Sequence, residues 1–299
     1  MRGGIWRGLW RMCGFLALCL CFLAAALVLR CACFRLSAAA RWRLMARLTQ
    51  LWARALLRLL CIRVTFQGQR NQGPTPRLLV ANHQSYLDIL ICAAYFPAVF
   101  VAKHELRRWP LLGWLAGLGG TLFIDRGCAR SAVRCAFRAS RVLRAGTCVQ
   151  VFPEGTTTAG MTVEAFKPLF FAAARRARVA IHPLSIAVLQ VDDMPAGQSA
   201  RTMFCWTGEA DFAAHFWRLL GIRAMSVALI AHEPLAYTPD FSARALAQLA
   251  QARVLAGLDR ARLPVEAGRA AEQMGAHKNQ APPGLRPIVN SEEATALMG

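Results

Sequence analysis

The sequence predicts an α/β protein, a mixed central sheet flanked by helices, carried on N-terminal membrane-anchoring helices. Three observations lead there. From about residue 76, apolar runs of strand length alternate with longer amphipathic stretches, the pattern of repeated β–α units. Residues 12–29, MCGFLALCLCFLAAALVL, hold no charge and are bounded by Arg11 and Arg30. Thirteen arginines and no acidic residue precede Asp88, so most of the net charge of +20 sits in the first third of the chain. At 56% hydrophobic and 17% charged, the 299 residues are too apolar for a disordered chain or an ordinary soluble domain. They suffice for one domain of usual size plus appendages. A basic front end calls for an anionic partner, nucleic acid or anionic lipid.

In chain order, residues 1–34 read as a transmembrane or re-entrant anchor. Eighteen residues at helical rise reach about 27 Å, close to a bilayer core of about 30 Å. A signal peptide is the rival, with Ala24-Ala25-Ala26 as a mimic of a cleavage site, but the run is long and ends in arginine. The heavier basic flank, on the C-terminal side, puts the remaining domain on the cytoplasmic face of the inner membrane. Residues 35–66 read as a basic amphipathic interfacial helix. Trp42, Met45, Leu48, Leu51, Trp52, Leu57 and Leu60 recur at helical spacing among Arg41, Arg43, Arg47, Arg54, Arg58 and Arg63. Packing on the domain's own core is the other reading of that face. The uncharged anchor beside it turns the partner towards anionic membrane lipids and away from nucleic acid.

The α/β domain is expected over 67–263. Strands are predicted at 77–82, 98–103, 121–126, 148–152, 179–190, 203–206 and 224–235. Helices are predicted at 85–95, to about 117, at 128–146, 166–177 and 241–260, with a polar loop at 190–201. Residues 264–299 lose periodicity and read as a disordered tail. The eleven cysteines form no C-x-x-C and no zinc spacing, which suits reduced thiols and leaves no metal site.

Three segments carry chemistry. Asn82-His83-Gln84-Ser85-Tyr86-Leu87-Asp88 follows a strand. Five residues apart, His83 and Asp88 do not share a helical face, but they can meet if His83 sits in the turn and Asp88 in the first helical turn. Asp88 would then hold Nδ1 and leave Nε2 as a base. Ser85-x-x-Asp88 is equally a capping box, in which Asp88 only caps the helix. Phe152-Pro153-Glu154-Gly155-Thr156-Thr157-Thr158 can present N–H and O–H donors to an anion or oxyanion, or be a plain turn. Leu122-Phe123-Ile124-Asp125-Arg126 ends a strand in a guanidinium suited to phosphate or carboxylate, or in a simple ion pair. His104, His232 and His277 read as surface residues and His182 as structural; His215 is a minor candidate for the acceptor site. There is no G-x-S-x-G, Walker A, G-x-G-x-x-G or H-E-x-x-H.

In this order the segments resemble the lysophospholipid acyltransferases, the 1-acyl-sn-glycerol-3-phosphate acyltransferase (PlsC-like) family. N-H-x-x-x-x-D falls at Asn82, His83 and Asp88, and the second block at Lys103, Glu105, Leu106 and 123–126. F-P-E-G-T falls at 152–156, and the proline-bearing strand at 181–186. The resemblance implies a glycerolipid acyltransferase fold and a membrane-bound O-acyltransferase. His83 would be the general base, oriented by Asp88; Arg126, Glu154, Gly155, Thr156 and Thr157 would bind substrate. It implies acyl-CoA or acyl carrier protein as co-substrate, no other cofactor, and a lyso-lipid acceptor. The acceptor it implies first is 1-acyl-sn-glycerol-3-phosphate. One departure matters: where the family often has Arg after F-P-E-G-T, this chain has Thr157, then Thr158. That resembles the branch acting on lyso-ornithine lipid, the alternative acceptor. A thioesterase using the same pair on water, or a non-enzymatic lipid-binding protein, are remoter alternatives.

Overall fold

A computed structural model describes residues 2–68, 75–195, 197–207 and 211–278. The helices are α1 (Arg2–Ala32), α2 (Ala38–Leu59), α3 (Leu87–Tyr95), α4 (Leu112–Leu118), α5 (Ala129–Arg144), α6 (Leu169–Ala177), α7 (Gln198–Phe204), α8 (Phe212–Gly221) and α9 (Ala243–Lys278). The strands are β1 (Ile62–Gly68), β2 (Arg77–Ala81), β3 (Ala98–Lys103), β4 (Leu122–Ile124), β5 (Cys148–Val151), β6 (Ala180–Val191), β7 (Met194–Pro195) and β8 (Met225–Ala231). A 3-10 turn, His104–Arg108, follows β3.

The strands form one sheet in the order β1-β8-β6-β2-β5-β3-β4, with β7 on β6. Pairing is parallel except β6 with β8 and β7. Apolar layers cover both faces. One, under α3 and α8, includes Leu79, Ile91, Leu184 and Leu229; the other, under α5, α6 and α9, includes Leu78, Val149, Phe171 and Ala250. Strands buried on both sides need continuous apolar runs, which RLLVA, CVQV and the middle of β6 supply. β2 lies at the centre, between β5 and β6. Loops leaving the C-terminal ends of β2 and β5 are therefore neighbours, and the loop after β4 lies two strands away. That edge is where open α/β sheets bind ligands.

The asparagine of the first motif is part of this scaffold. Asn82 Nδ2 donates to Ile186 O at 3.0 Å and its Oδ1 accepts from Ile186 N at 2.8 Å. The side chain thus continues the β2–β6 ladder where the backbone leaves for the helix.

Four expectations differ. The segment expected to be helical through 66 breaks at Cys61, whose φ of 54° is left-handed, and continues as β1. β1 then pairs parallel with β8 from Ile62↔Met225 to Gly68↔Ala231. Residues 203–206, expected as a strand, instead hold the end of α7 and its exit, and the expected loop 190–201 holds the end of β6, β7 and the start of α7. The last helix runs on through 264–278, so that part of the expected tail is helical. The remainder, 279–299, lies outside the described residues.

Among the described residues, Gly4–Ala32 is the one helix long and apolar enough to cross a membrane. Its packing is not that of an isolated span. Gly8, Arg11, Cys19, Phe22 and Ala26 form an inner face buried against α8, α2 and α4. A Cβ on Gly14 would stand 2.8 Å from Leu59 Cδ1, so glycine permits the close approach to α2. The arginines at its start cap α8: Arg7 Nη1 donates to Gly221 O at 2.8 Å, and Arg11 donates to the carbonyls of Leu220, Ile222 and Arg223. Only 1% of Arg11 is exposed. The outer face, with Trp6, Trp10, Leu16, Leu20, Leu27 and Val28, is apolar and open.

Candidate active site

His83 sits in the turn after β2, and every side of it but one is held. Its backbone N–H donates to Glu154 Oε1 at 2.6 Å, and its carbonyl accepts from Thr158 N at 2.9 Å. Its ring stacks on Phe152, centroids 4.0 Å apart. Nδ1 lies 2.9 Å from Asp88 Oδ2. Nε2 has no hydrogen-bond partner among the described residues, and His83 lines a cavity of about 480 Å³.

One oxygen of Asp88 serves both the ring and the turn, though the full capping box does not form, since Ser85 Oγ accepts from Leu87 N and not from Asp88 N. Oδ2 accepts the backbone N–H of Gln84 at 2.6 Å and of Ser85 at 2.8 Å as well as facing His83. Asp88 thus shapes the turn that presents His83 and fixes the ring. It is fully buried, and Oδ1 has no partner among the described residues. A carboxylate there favours the Nδ1–H tautomer, which leaves Nε2 as an acceptor facing the cavity.

The substrate-binding candidates divide. Arg126, Gly155, Thr156 and Thr157 line the cavity with His83. Arg126 reaches across from β4 and donates to the Gly155 carbonyl, joining two motif loops. Glu154 does not line this cavity. It is 3% exposed, and its second oxygen accepts from Glu164 N at 2.8 Å. With each oxygen accepting a backbone N–H group, it clasps the His83 turn to the Glu164 segment. Burial raises its pKa from 4.5 to about 7, against the pull of those two donors.

Apolar side chains of the anchor helices extend the lining of the cavity. Phe15 and Phe22 of α1 and Trp52 and Leu56 of α2 wall it, with Tyr86 and Trp109 nearer His83. So the segment expected to anchor the enzyme also builds its site. His215 is 3% exposed and pairs its Nδ1 with Tyr86 Oη at 2.9 Å, behind the wall. Its pKa is lowered, chiefly by burial. His232, expected at the surface, is partly buried against Ser185 Oγ at 2.7 Å, and burial lowers its pKa to about 4.

Sequence reasoning missed Lys167. It is exposed and lies over Gly155, where a Cβ would stand 2.7 Å from its Nζ. Gly155 has φ +77°. The signal was present: Lys167 is one of three lysines in a chain whose other cations are arginine. Lys103 also lines the cavity, with Nζ 5.9 Å from the Trp109 ring centroid.

A buried carboxylate–imidazole pair at the C-terminal edge of a mainly parallel sheet, opening on an apolar cavity walled by membrane-type helices, defines a class: an enzyme that activates a hydroxyl or water beside a lipid chain. The comparisons narrow it. The Acyltransferase family model matches residues 63–187. The lyso-ornithine lipid O-acyltransferase of Brucella abortus is 34% identical over 73% of this chain and 84% of its own length. That of Pseudomonas aeruginosa is 36% identical over 75% and 83%. A 1-acyl-sn-glycerol-3-phosphate acyltransferase of Neisseria gonorrhoeae is 30% identical over 52% and 59%. In fold, the 1-acyl-sn-glycerophosphate acyltransferase PlsC of Thermotoga maritima aligns with TM-score 0.57 at 22% identity, over 84% of this chain and 97% of that one. The chain belongs to this acyltransferase family.

Proposed function

We propose that the enzyme moves a fatty acyl group from an acyl thioester, acyl-CoA or acyl carrier protein, to the hydroxyl of lyso-ornithine lipid at the cytoplasmic face of the inner membrane. The observation that carries the chemistry is the His83–Asp88 pair with Nε2 open to the cavity. Nε2 takes the hydroxyl proton as the oxygen attacks the thioester carbonyl. The C–S bond breaks, and the leaving thiolate recovers the proton from the imidazolium held by Asp88. No cofactor or metal enters these steps. Thr156 and Thr157 flank the reacting atoms, and Arg126 keeps the Gly155 loop in place. The apolar lining that includes Leu56 and Phe22 suits an acyl chain. Two features favour lyso-ornithine lipid over 1-acyl-sn-glycerol-3-phosphate, the first acceptor the motifs implied. Thr157 stands where a phosphate-binding arginine was expected, and the Brucella and Pseudomonas relatives carry that activity in their names.

The test is a membrane assay with labelled acyl thioester and both acceptors. We expect label in ornithine lipid, and His83→Ala to cut turnover by about 10²–10⁴-fold with membrane association kept. Label released only as free fatty acid would make the enzyme a thioesterase.

A further inference from the structure

Beside the F-P-E-G-T loop lies a second cavity, about 570 Å³, which shares Thr156, Thr157 and Lys167 with the first. Glu154, Thr158, Thr162 and Glu164 complete its polar lining. We propose that this dish holds the headgroup of a zwitterionic amino-acid lipid, with Lys167 taking its carboxylate and Glu164 its ammonium; this rests on the acyltransfer reading above.

The charges carry the argument. Among the described residues, neither Lys167 nor Glu164 forms an ion pair. Both are exposed, three residues apart in the segment before α6, and both border the same cavity. The other cations nearby, Arg126 and Lys103, line the first cavity and not this one, and Arg126 donates from Nη1 to the Gly155 carbonyl. A phosphomonoester would bring about two negative charges to a cavity lined by one cation, Lys167, and two carboxyl groups, Glu154 and Glu164. A zwitterion brings one charge of each sign to Lys167 and Glu164, and the hydroxyls of Thr156, Thr157 and Thr162 can serve either group. The placement also fits the reaction. Lyso-ornithine lipid carries its free hydroxyl on the fatty chain, a few bonds from the amide that joins the headgroup. The hydroxyl therefore reaches His83 in the first cavity while carboxylate and ammonium lie beyond the shared threonines. Glu154 strengthens the geometry, since its Oε2 holds the Glu164 backbone and its Oε1 the His83 backbone. One carboxyl group at the edge of the dish thus fixes the headgroup segment relative to the base.

The experiment uses the full chain in membranes, with lyso-ornithine lipid, its carboxyl methyl ester, its acetylated-amine analogue and 1-acyl-sn-glycerol-3-phosphate as acceptors. The wild type should show a KM about tenfold or more higher for each blocked analogue, the worth of a charge-assisted contact. Lys167→Met should raise KM for lyso-ornithine lipid and erase the difference between acid and methyl ester, while Lys167→Arg restores it. Glu164→Gln should erase the difference between free and acetylated amine. Equal use of all three ornithine lipids by the wild type overturns the subsite and leaves the acyltransfer reading standing. Transfer to 1-acyl-sn-glycerol-3-phosphate alone overturns both the acceptor and the dish.

Discussion

Glu154 was expected to touch substrate, and its two neighbours in the chain do line the cavity. Its own side chain turns inward because two backbone N–H groups, from His83 and Glu164, need an acceptor where water is scarce. Motif reading places a residue at the site but not the direction of its side chain. The burial has a measurable sign. The folded-state pKa, about 7, lies above the free value of 4.5, so the native state holds a proton that the unfolded state releases. That contribution to stability is full below about 4.5 and is lost as pH rises through about 7. We expect the thermal midpoint of the wild type to fall between pH 5 and 8 by more than that of Glu154→Gln, which cannot titrate. The variant should also be less stable at pH 8, since an amide nitrogen would face a backbone N–H. Parallel pH profiles for the two proteins would show that Glu154 stays ionised throughout.

At the scale of elements, most of the β–α order was legible because buried parallel strands must be continuously apolar and their helices amphipathic. α5 is the clearest case: Cys135, Ala136, Ala139, Val142 and Leu143 turn inward and arginines face out. β1 was missed because IRVTFQ adjoins the arginine-rich helix without a glycine or proline, and the break depends on Cys61 alone. The fate of α1 was also illegible. Hydropathy reports that a helix can leave water, not what it packs against. Its inner face is committed along its length to α8, α2 and α4. At about 46 Å for 31 residues, it outreaches a bilayer core. These facts favour a helix embedded in one leaflet with both ends on the side of the catalytic domain. Single cysteines at Gly4 and at the native Cys31, in a background lacking the other exposed thiols, should react with an impermeant reagent from the same side of sealed vesicles. Labelling from opposite sides would restore a true span. Arg11→Leu should destabilise the protein by about 1.5–3 kcal/mol, since it strips a charged donor from three α8-end carbonyls.

For the whole molecule, the excess of arginine does two jobs that composition cannot separate. Some guanidiniums cap helix ends: Arg7 and Arg11 at α8, Arg54 at Ala94 of α3, and Arg43 at Ala145 after α5. These tie the anchor helices to the domain, and Arg11 is too buried to meet lipid. Others, including Arg30, Arg35, Arg58 and Arg63, are exposed, and among the described residues their side chains form no hydrogen bond or ion pair. Each such charge near an anionic surface is worth about 1 kcal/mol, within a Debye length of about 8 Å at physiological salt. The apolar face of α1 contributes a part that salt does not screen. Binding of the intact protein to vesicles should therefore be tighter on anionic than on neutral lipid at low salt. The two should converge at high salt on a residual affinity above zero. Replacing Arg30, Arg35, Arg58 and Arg63 with glutamine should remove most of the salt-dependent part, whereas Arg54→Gln should act mainly on stability. Co-flotation with vesicles across a salt series measures both parts. Complete release at high salt would mean that the face of α1 does not enter the membrane, and an unchanged salt slope in the fourfold variant would place the electrostatic contact elsewhere.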